Sequence, residues 1–143
     1  MAESDNRKPQ STAPTIISID AMGGDQGVKA VIGGMEISAR TFPNIRFIVH
    51  GTESEIKLAL RRKPALAAIC ELRATEDVIT MDAEPSAALR GAKKSSMWAS
   101  IETMKSGAAK AIVSCGNTGA LMAMSTIQLR KMPGVNRPAI AIL

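Results

Sequence analysis

The chain has 143 residues, 45% of them hydrophobic, which suffices for one domain with a packed core. With one tryptophan, two phenylalanines and no tyrosine, it lacks the aromatic surface that stacks on nucleic-acid bases, so no nucleic-acid partner is expected. The net charge of +5 suits a phosphate compound, an acidic protein or an anionic membrane surface, and it is equally compatible with a solvated basic surface.

The cysteine and histidine content argues against disulfide and metal frameworks. The two cysteines have no paired spacing, and the single histidine leaves no zinc-ligand cluster. We therefore expect a reduced, cytoplasmic protein without a metal or other cofactor. No apolar run approaches the ~18 residues of a membrane span. Residues 1–14 are polar and are predicted to form a disordered tail rather than a secretory signal.

Strand-like and helix-like segments alternate along the chain. The predicted strands are residues 15–20, 45–50, part of 72–82, 109–113 and 139–143. The predicted helices are residues 28–42, 53–62, 65–70, 85–90, 96–106 and 117–132. Several strands are continuous apolar runs, which indicates a parallel sheet with helices on both faces. The predicted class is therefore α/β, with three layers and a mainly parallel sheet.

Two glycine-containing loops follow predicted strands, where ligands bind in open parallel sheets. One spans Asp20 to Asp25, and the other spans Cys115 to Gly119. Glycine lets the backbone approach a ligand closely. Asn117 or Thr118 is placed to cap the following helix, whose first N–H groups then form an anion site suited to phosphate. The alternative is a tight strand-to-helix turn with an ordinary cap.

The carboxylates of the first loop have several possible roles. Asp20 and Asp25 can orient cations, accept hydrogen bonds from loop amides, or bind a metal, although no other oxygen ligands lie nearby in the sequence. The loop does not match G-x-G-x-x-G, and the chain has no G-x-x-x-x-G-K-[ST]. His50 is a candidate general base and Cys115 a candidate nucleophile, but a structural role is favoured for both.

A basic segment precedes another predicted helix. Arg90, Lys93 and Lys94 come just before Ser95 and Ser96, which are placed to cap that helix. These cations can neutralise a phosphate or meet an acidic protein. A solvated loop is the simpler interpretation.

Four segments together resemble one protein family. They are ISIDAMGGD at 17–25, SSMW at 95–98, GNTGALMA at 116–123 and PGVNRPAIA at 133–141. Over residues 15–143 the chain is similar to the bacterial phosphate acyltransferases of phospholipid synthesis, the PlsX family. Members of that family are longer, so the resemblance implies an N-terminal portion whose C-terminal part is absent.

The resemblance implies both a fold and a reaction. The fold would be a three-layer α/β/α sandwich like that of the isocitrate and isopropylmalate dehydrogenases. The reaction would transfer a long-chain acyl group from acyl-acyl-carrier-protein to inorganic phosphate. The acyl phosphate formed would then feed a membrane glycerol-3-phosphate acyltransferase. The resemblance also implies a cytoplasmic homodimer that can associate peripherally with the membrane.

The matching motifs suggest roles for individual residues. Asp20, Asp25 and Asn117 are the candidate catalytic residues. The candidates for binding phosphate or substrate are Gly23, Gly24, Lys93, Ser95, Ser96, Gly116, Thr118 and Gly119. Two alternatives remain open. One is a phosphotransacetylase-like or dehydrogenase-like enzyme of the same architecture, and the other is a non-catalytic module that binds the carrier protein or the membrane.

Overall fold

The computed structural model describes residues 13–139. The predicted tail over residues 1–14 lies outside this range except for its last two positions. The predicted strand over residues 139–143 lies outside it except for Ala139.

The centre of the molecule is a four-stranded, entirely parallel sheet, which confirms the predicted class. Its strands are β1 (Thr15–Asp20), β2 (Ile45–Gly51), β3 (Cys70–Ala74) and β4 (Ala111–Ser114). They lie in the order β3-β2-β1-β4. The chain therefore moves outward from β1 to β3 and then crosses back to the other side of β1. The carboxyl ends of β1 and β4 are neighbours at this change of direction, where open α/β sheets form ligand sites.

Helices cover both faces of the sheet and complete the three layers. The α-helices are α1 (Gly27–Thr41), α2 (Glu53–Leu60), α3 (Pro64–Ala67), α4 (Pro85–Gly91), α5 (Ser96–Lys105) and α6 (Thr118–Leu129). A short 3₁₀ helix, Ala92–Lys94, joins α4 to α5. The first three helices pack on one face, and the last three form a second apolar cluster on the other.

The first core follows from the alternation of side chains along each strand. Ile19, Phe47 and Val49 are buried on the α1 side of the sheet, where they meet Ile32 and Ile56 from the helices. Burying each such side chain contributes roughly 1.5–3 kcal/mol. This face therefore holds β1 and β2 firmly against α1 and α2.

The second core forms around α5, which contacts β4, β1 and β2. Met97 and Ile101 of α5 pack with Ala120 and Met124 of α6. The buried Ser18 hydroxyl donates to the Ser100 carbonyl at 3.0 Å and fixes α5 on β1.

The predicted helix over residues 65–70 and strands over 72–82 are partly wrong. Helix α3 ends at Ala67, and β3 already begins at Cys70. Pairing with β2 decides this outcome, because the Phe47 N–H donates to the Ile69 carbonyl at 3.0 Å. Between β3 and α4, the described structure contains only an isolated bridge from Asp77 to Ser95.

Strand β4 is less buried than its apolar sequence predicts. Val113 is 48% exposed, because among the described residues the α1 side of this edge strand is only partly covered. The opposite side of β4 carries Ile112, which packs against the second core.

Candidate functional site

The two glycine loops lie against each other at the carboxyl ends of β1 and β4. A Cβ atom added to Gly23 would stand 2.5 Å from the Gly116 nitrogen, and one added to Gly24 would stand 3.0 Å from the Cys115 Cβ. Gly24 also has a φ of +97°, which favours glycine. The contact is therefore between backbones, and larger residues would push the loops apart. We call this contact the glycine junction.

Asp20, the last residue of β1, connects the two loops through hydrogen bonds. It is only 2% exposed. Its Oδ2 accepts a 2.7 Å hydrogen bond from the Ser114 hydroxyl, and its Oδ1 accepts one from the Met22 N–H at 3.3 Å. The Ser114 Oγ in turn accepts from the Gly116 N–H at 3.1 Å. Sequence reasoning missed Ser114, although a polar residue closing an apolar strand in line with Asp20 is the signal that would have found it.

Of the two predicted candidates, Asn117 rather than Thr118 caps α6, and Asn117 also holds a distant segment. Its Oδ1 accepts from the Ala120 N–H at 2.9 Å. Its Nδ2 donates to the Met81 carbonyl at 2.9 Å and to the Ala83 carbonyl at 2.8 Å. Both amide hydrogens thus have acceptors, so this side chain determines the geometry of the site rather than pointing freely into it.

The N-terminus of α6 keeps donors available for a ligand. The N–H groups of Gly116 and Ala120 are taken by side chains, as described above. Within residues 13–139, the N–H groups of Thr118 and Gly119 donate no hydrogen bond. N–H groups in the first turn of a helix have no partner within that helix, and the helix dipole adds partial positive charge. This turn can hold an oxyanion.

The serines before α5 shape the protein rather than line an open site. The Ser95 hydroxyl donates to the Ala92 carbonyl at 2.7 Å and accepts from the Trp98 N–H at 3.2 Å, which confirms its capping role. Ser96 is also buried, and its N–H donates to the Asp77 carbonyl at 3.2 Å.

Helix α5 nevertheless begins directly beside the glycine junction. The Met97 Cε would lie 2.9 Å from a Cβ atom on Gly116. Among the basic residues before the helix, Lys94 pairs with Glu76 at 2.7 Å. Lys93 is exposed, and no hydrogen bond or ion pair in the described structure joins it to the glycine junction.

An apolar groove of about 600 Å³ opens beside the junction on the α1 side of the sheet. The exposed Asp25 lies at its rim. The small residues Ala30, Gly34 and Ser38 recur every four residues along α1 and line the groove. They leave open space beside the helix, since nothing lies within 4 Å of a Cβ added to Gly34. Its principal apolar lining is Ile17, Ile19, Val31, Met35, Phe47 and Val113, and its end at the junction is Gly23, Gly24 and Cys115.

Neither His50 nor the cysteines form a nucleophile–base pair at the junction. His50 is buried at the end of β2, with its Nε2 3.1 Å from the Thr103 hydroxyl. Burial raises the pKa of the Cys70 thiol to about 11, so it stays protonated at neutral pH. Cys115 is an exposed free thiol.

The part of the chain that the structure describes has no cluster of three His, Cys, Asp or Glu side chains placed to hold a metal. None of the helices described over residues 13–139 is long and apolar enough to cross a bilayer.

Comparison with known proteins agrees with the resemblance drawn from the four motifs. A family model described as fatty acid synthesis protein matches residues 15–143. The phosphate acyltransferase of Roseobacter denitrificans is 55% identical over 131 residues, which cover 92% of this chain and 37% of that protein. The phosphate acyltransferase of Paracoccus denitrificans is 51% identical over 137 residues, which cover 96% of this chain and 37% of that protein. The phosphate acyltransferase of a Jannaschia species is 54% identical over 129 residues, covering 90% and 35%.

The chain thus spans little more than a third of the length of these curated relatives. The family match extends from the first residue of β1 to the last residue of the chain and includes both glycine loops. The chain belongs to the fatty acid synthesis protein family.

Proposed function

We propose that the protein containing this chain transfers a long-chain acyl group from acyl-acyl-carrier-protein to inorganic phosphate. The product, an acyl phosphate, would serve phospholipid synthesis. The observation that carries this proposal is the glycine junction, which combines free N–H donors at the start of α6 with an adjoining apolar groove. The family match and the names of the relatives support the same chemistry.

The reaction needs a nucleophile held in place rather than an acyl-enzyme. A phosphate oxygen attacks the thioester carbonyl carbon, the carbon–sulfur bond breaks, and the carrier protein leaves as a thiol after taking up a proton. In this proposal the N–H groups of Thr118 and Gly119 hold the phosphate close to the carbonyl carbon. Positioning of this kind supplies a large part of many rate enhancements. The same donors favour the negative charge that develops on oxygen during attack.

The other candidate residues act around those two N–H groups. Asp20 fixes the two loops through Ser114, and Asn117 fixes the start of α6, so both are positioning residues in this proposal. Asp25 is the exposed carboxylate at the rim and is the candidate acceptor for the proton of hydrogen phosphate. Gly23, Gly24 and Gly116 allow the two backbones to approach.

The residues near α5 contribute indirectly or through charge. Ser95 and Ser96 set the start of α5 beneath the junction. The exposed Lys93 is placed for attraction to an acidic carrier protein, which is a long-range effect weakened by salt.

The groove is proposed to take the acyl chain of the thioester. Its lining is mainly apolar, and it opens at the junction, where the carbonyl carbon must lie for attack. Burial of each methylene group contributes about 0.8 kcal/mol, so a long chain would bind through this surface.

The remaining features of the proposal concern the whole protein. They are a homodimer in the cytoplasm, peripheral contact with the membrane, and delivery of acyl phosphate to a membrane glycerol-3-phosphate acyltransferase. The net charge of +5 supports contact with acidic proteins and anionic lipid.

Thioester turnover with and without phosphate tests this function. The chain is assayed alone and as part of a chimera. In the chimera it replaces the matching segment of the Roseobacter denitrificans relative, whose remaining residues complete the protein. The proposal predicts that palmitoyl-carrier protein is consumed by the chimera only when phosphate is present, with acyl phosphate as the product. Turnover of acetyl-CoA with no reaction of the palmitoyl donor would instead indicate a phosphotransacetylase-like enzyme. Binding of the carrier protein without turnover would indicate a non-catalytic module.

A further inference from the structure

A second, polar pocket lies between the carboxyl ends of β2 and β3 and the side of α5. Its volume is about 280 Å³, and its polar lining comes from His50, Arg73, Thr75, Glu102, Thr103 and Ser106. Within residues 13–139, the buried side-chain polar atoms without a hydrogen-bond partner are His50 Nδ1 and Thr75 Oγ1. Both residues are among those that line this pocket. An unsatisfied buried polar group costs about 1–3 kcal/mol, and native proteins retain few of them.

The hydrogen bonds of Thr103 favour one of the two tautomers of a neutral His50 ring. Arg73 Nη1 donates to the Thr103 hydroxyl oxygen at 3.2 Å. The hydroxyl proton of Thr103 is then available for His50 Nε2, 3.1 Å away. Burial and the nearby Arg73 lower the pKa of His50 to about 4, so the ring is neutral at pH 7. A neutral ring that accepts at Nε2 carries its proton at Nδ1. In that tautomer the unpartnered Nδ1 is a donor.

The charges around the pocket favour a neutral ligand over an anion. Arg73 is a lining cation, but its Nε already donates to Glu71 Oε1 at 2.8 Å. Glu102 is a second carboxylate, and it lies in the pocket wall. Arg73 and Glu102 are the charged side chains of the lining, so the pocket wall carries no net charge. The free donors at His50 and Thr75 therefore suit the oxygen of an uncharged carbonyl, while Glu102 can accept from an N–H group.

We propose that this pocket binds a neutral amide group, with the donors of His50 and Thr75 directed to its carbonyl oxygen and Glu102 accepting from its N–H. This inference extends the proposed function, from which the choice of ligand follows. The acyl group of the donor is carried on a pantetheine arm, which is uncharged and contains two amides. The pocket lies at the carboxyl end of β2, which is the neighbour of β1 in the sheet. His50 of β2 is in register with Asp20 of β1. An arm held here would reach the glycine junction along the carboxyl edge of the sheet.

The chain contains a single histidine, which makes a direct test possible. Imidazole ¹⁵N signals of the 143-residue chain report the tautomer of His50 without any need for activity. We expect a neutral ring protonated at Nδ1 at pH 7. Added pantetheine should shift the Nδ1 signal and the Thr75 amide in a saturable manner, and acetate should not. Protonation at Nε2, no response to pantetheine, or a response to acetate in its place would each overturn the proposal.

Thr75→Val provides a variant that should still fold, because the hydroxyl it removes has no partner. It should leave the free energy of unfolding unchanged or raise it, and it should weaken pantetheine binding about tenfold. Thr41→Val, on the exposed end of α1, is the matched control and should bind pantetheine normally. Equal pantetheine affinity in both variants would contradict the proposal.

The two proposals fail separately. Phosphate-dependent thioester cleavage with no pantetheine response at His50 would overturn only the amide pocket. A pantetheine response at His50 without any phosphate-dependent cleavage by the chimera would overturn only the acyltransferase function.

Discussion

The Ser114 hydroxyl donates a 2.7 Å hydrogen bond to Asp20 across the carboxyl ends of two adjacent strands. The same hydroxyl oxygen accepts from the Gly116 N–H, so one serine ties a buried carboxylate to the second glycine loop. The Asp20 carboxylate is thereby fixed between the two loops, although Asp20 and Ser114 are 94 residues apart in sequence. The geometry of the site depends on this connection.

Ser114→Ala should reduce the free energy of unfolding by about 1–3 kcal/mol, because it leaves the buried Asp20 carboxylate with one hydrogen bond fewer. Urea denaturation of the chain measures the loss. Ser54→Ala, at an exposed position of α2, is the control and should change stability by no more than about 0.5 kcal/mol. Equal stability of the two variants would show that the Ser114 bond contributes nothing.

Gly23→Ala should separate the two loops, because its Cβ would stand 2.5 Å from the backbone of Gly116. We expect a loss of about 1–3 kcal/mol in unfolding free energy. In the chimera with the Roseobacter relative, we also expect a steep rise in the phosphate concentration required for turnover. Gly33→Ala in α1 is the matched control, since nothing lies within 4 Å of its added Cβ. It should be neutral or stabilise the helix by up to about 1 kcal/mol. Normal phosphate dependence in Gly23→Ala would show that the close contact between Gly23 and Gly116 is not needed for phosphate binding.

Asn117→Asp should loosen the segment around Met81 and Ala83 while keeping α6 capped. The variant retains the oxygen that accepts from Ala120, and aspartate is a good N-cap. It replaces the donating amide with an oxygen that faces two carbonyls. Hydrogen exchange over residues 80–84 should therefore accelerate at least about tenfold, as expected for a loss near 1.4 kcal/mol. Unaltered exchange in that segment would mean that Asn117 does not hold it.

Stability should fall with acid partly because of His50. Its pKa is lowered to about 4 in the folded chain from an ordinary value of 6.5, chiefly by burial and secondarily by Arg73. As pH falls below 6.5 the unfolded chain takes up this proton first, so stability is lost until the pH passes the folded pKa near 4. The full difference corresponds to about 3 kcal/mol.

His50→Gln isolates this contribution, because the carboxylates of the chain titrate in both proteins. The unfolding free energy of the original chain should drop by up to about 3 kcal/mol more than that of the variant between pH 7 and pH 4. Parallel pH profiles of the two proteins would show that His50 titrates normally in the folded state.

Local patterns in the sequence predicted the layers of the fold and the position of the two glycine loops. The β-branched run ending at Asp20 and the apolar spacing from Val28 along α1 indicated the first strand and helix, which the structure contains. Polar caps were also predicted at the starts of α5 and α6, because these residue types satisfy free N–H groups there. The sequence left two candidates for each cap, and the structure selects Ser95 over Ser96 and Asn117 over Thr118. Placing both glycine loops at the carboxyl ends of strands required only the inference that the sheet is parallel.

Features that depend on strand order could not be obtained in this way. The pairing of Ser114 with Asp20 requires β4 to lie beside β1, which no local pattern specifies. The same holds for the contact of Asn117 with Met81 and for the polar pocket around His50, where three segments meet. The early start of β3 was missed because pairing with β2 outweighs the helical tendency of the alanine-rich stretch before it.

The central claim is that the start of α6 holds phosphate at the glycine junction. Residue-resolved ¹⁵N–¹H spectra of the chain during titration with inorganic phosphate test it most directly. We expect saturable shifts of the Thr118 and Gly119 amides, which should be reduced in Gly23→Ala and retained in Gly33→Ala. If the Thr118 and Gly119 amide signals did not shift with phosphate while signals from another part of the chain shifted saturably, the central claim would be contradicted.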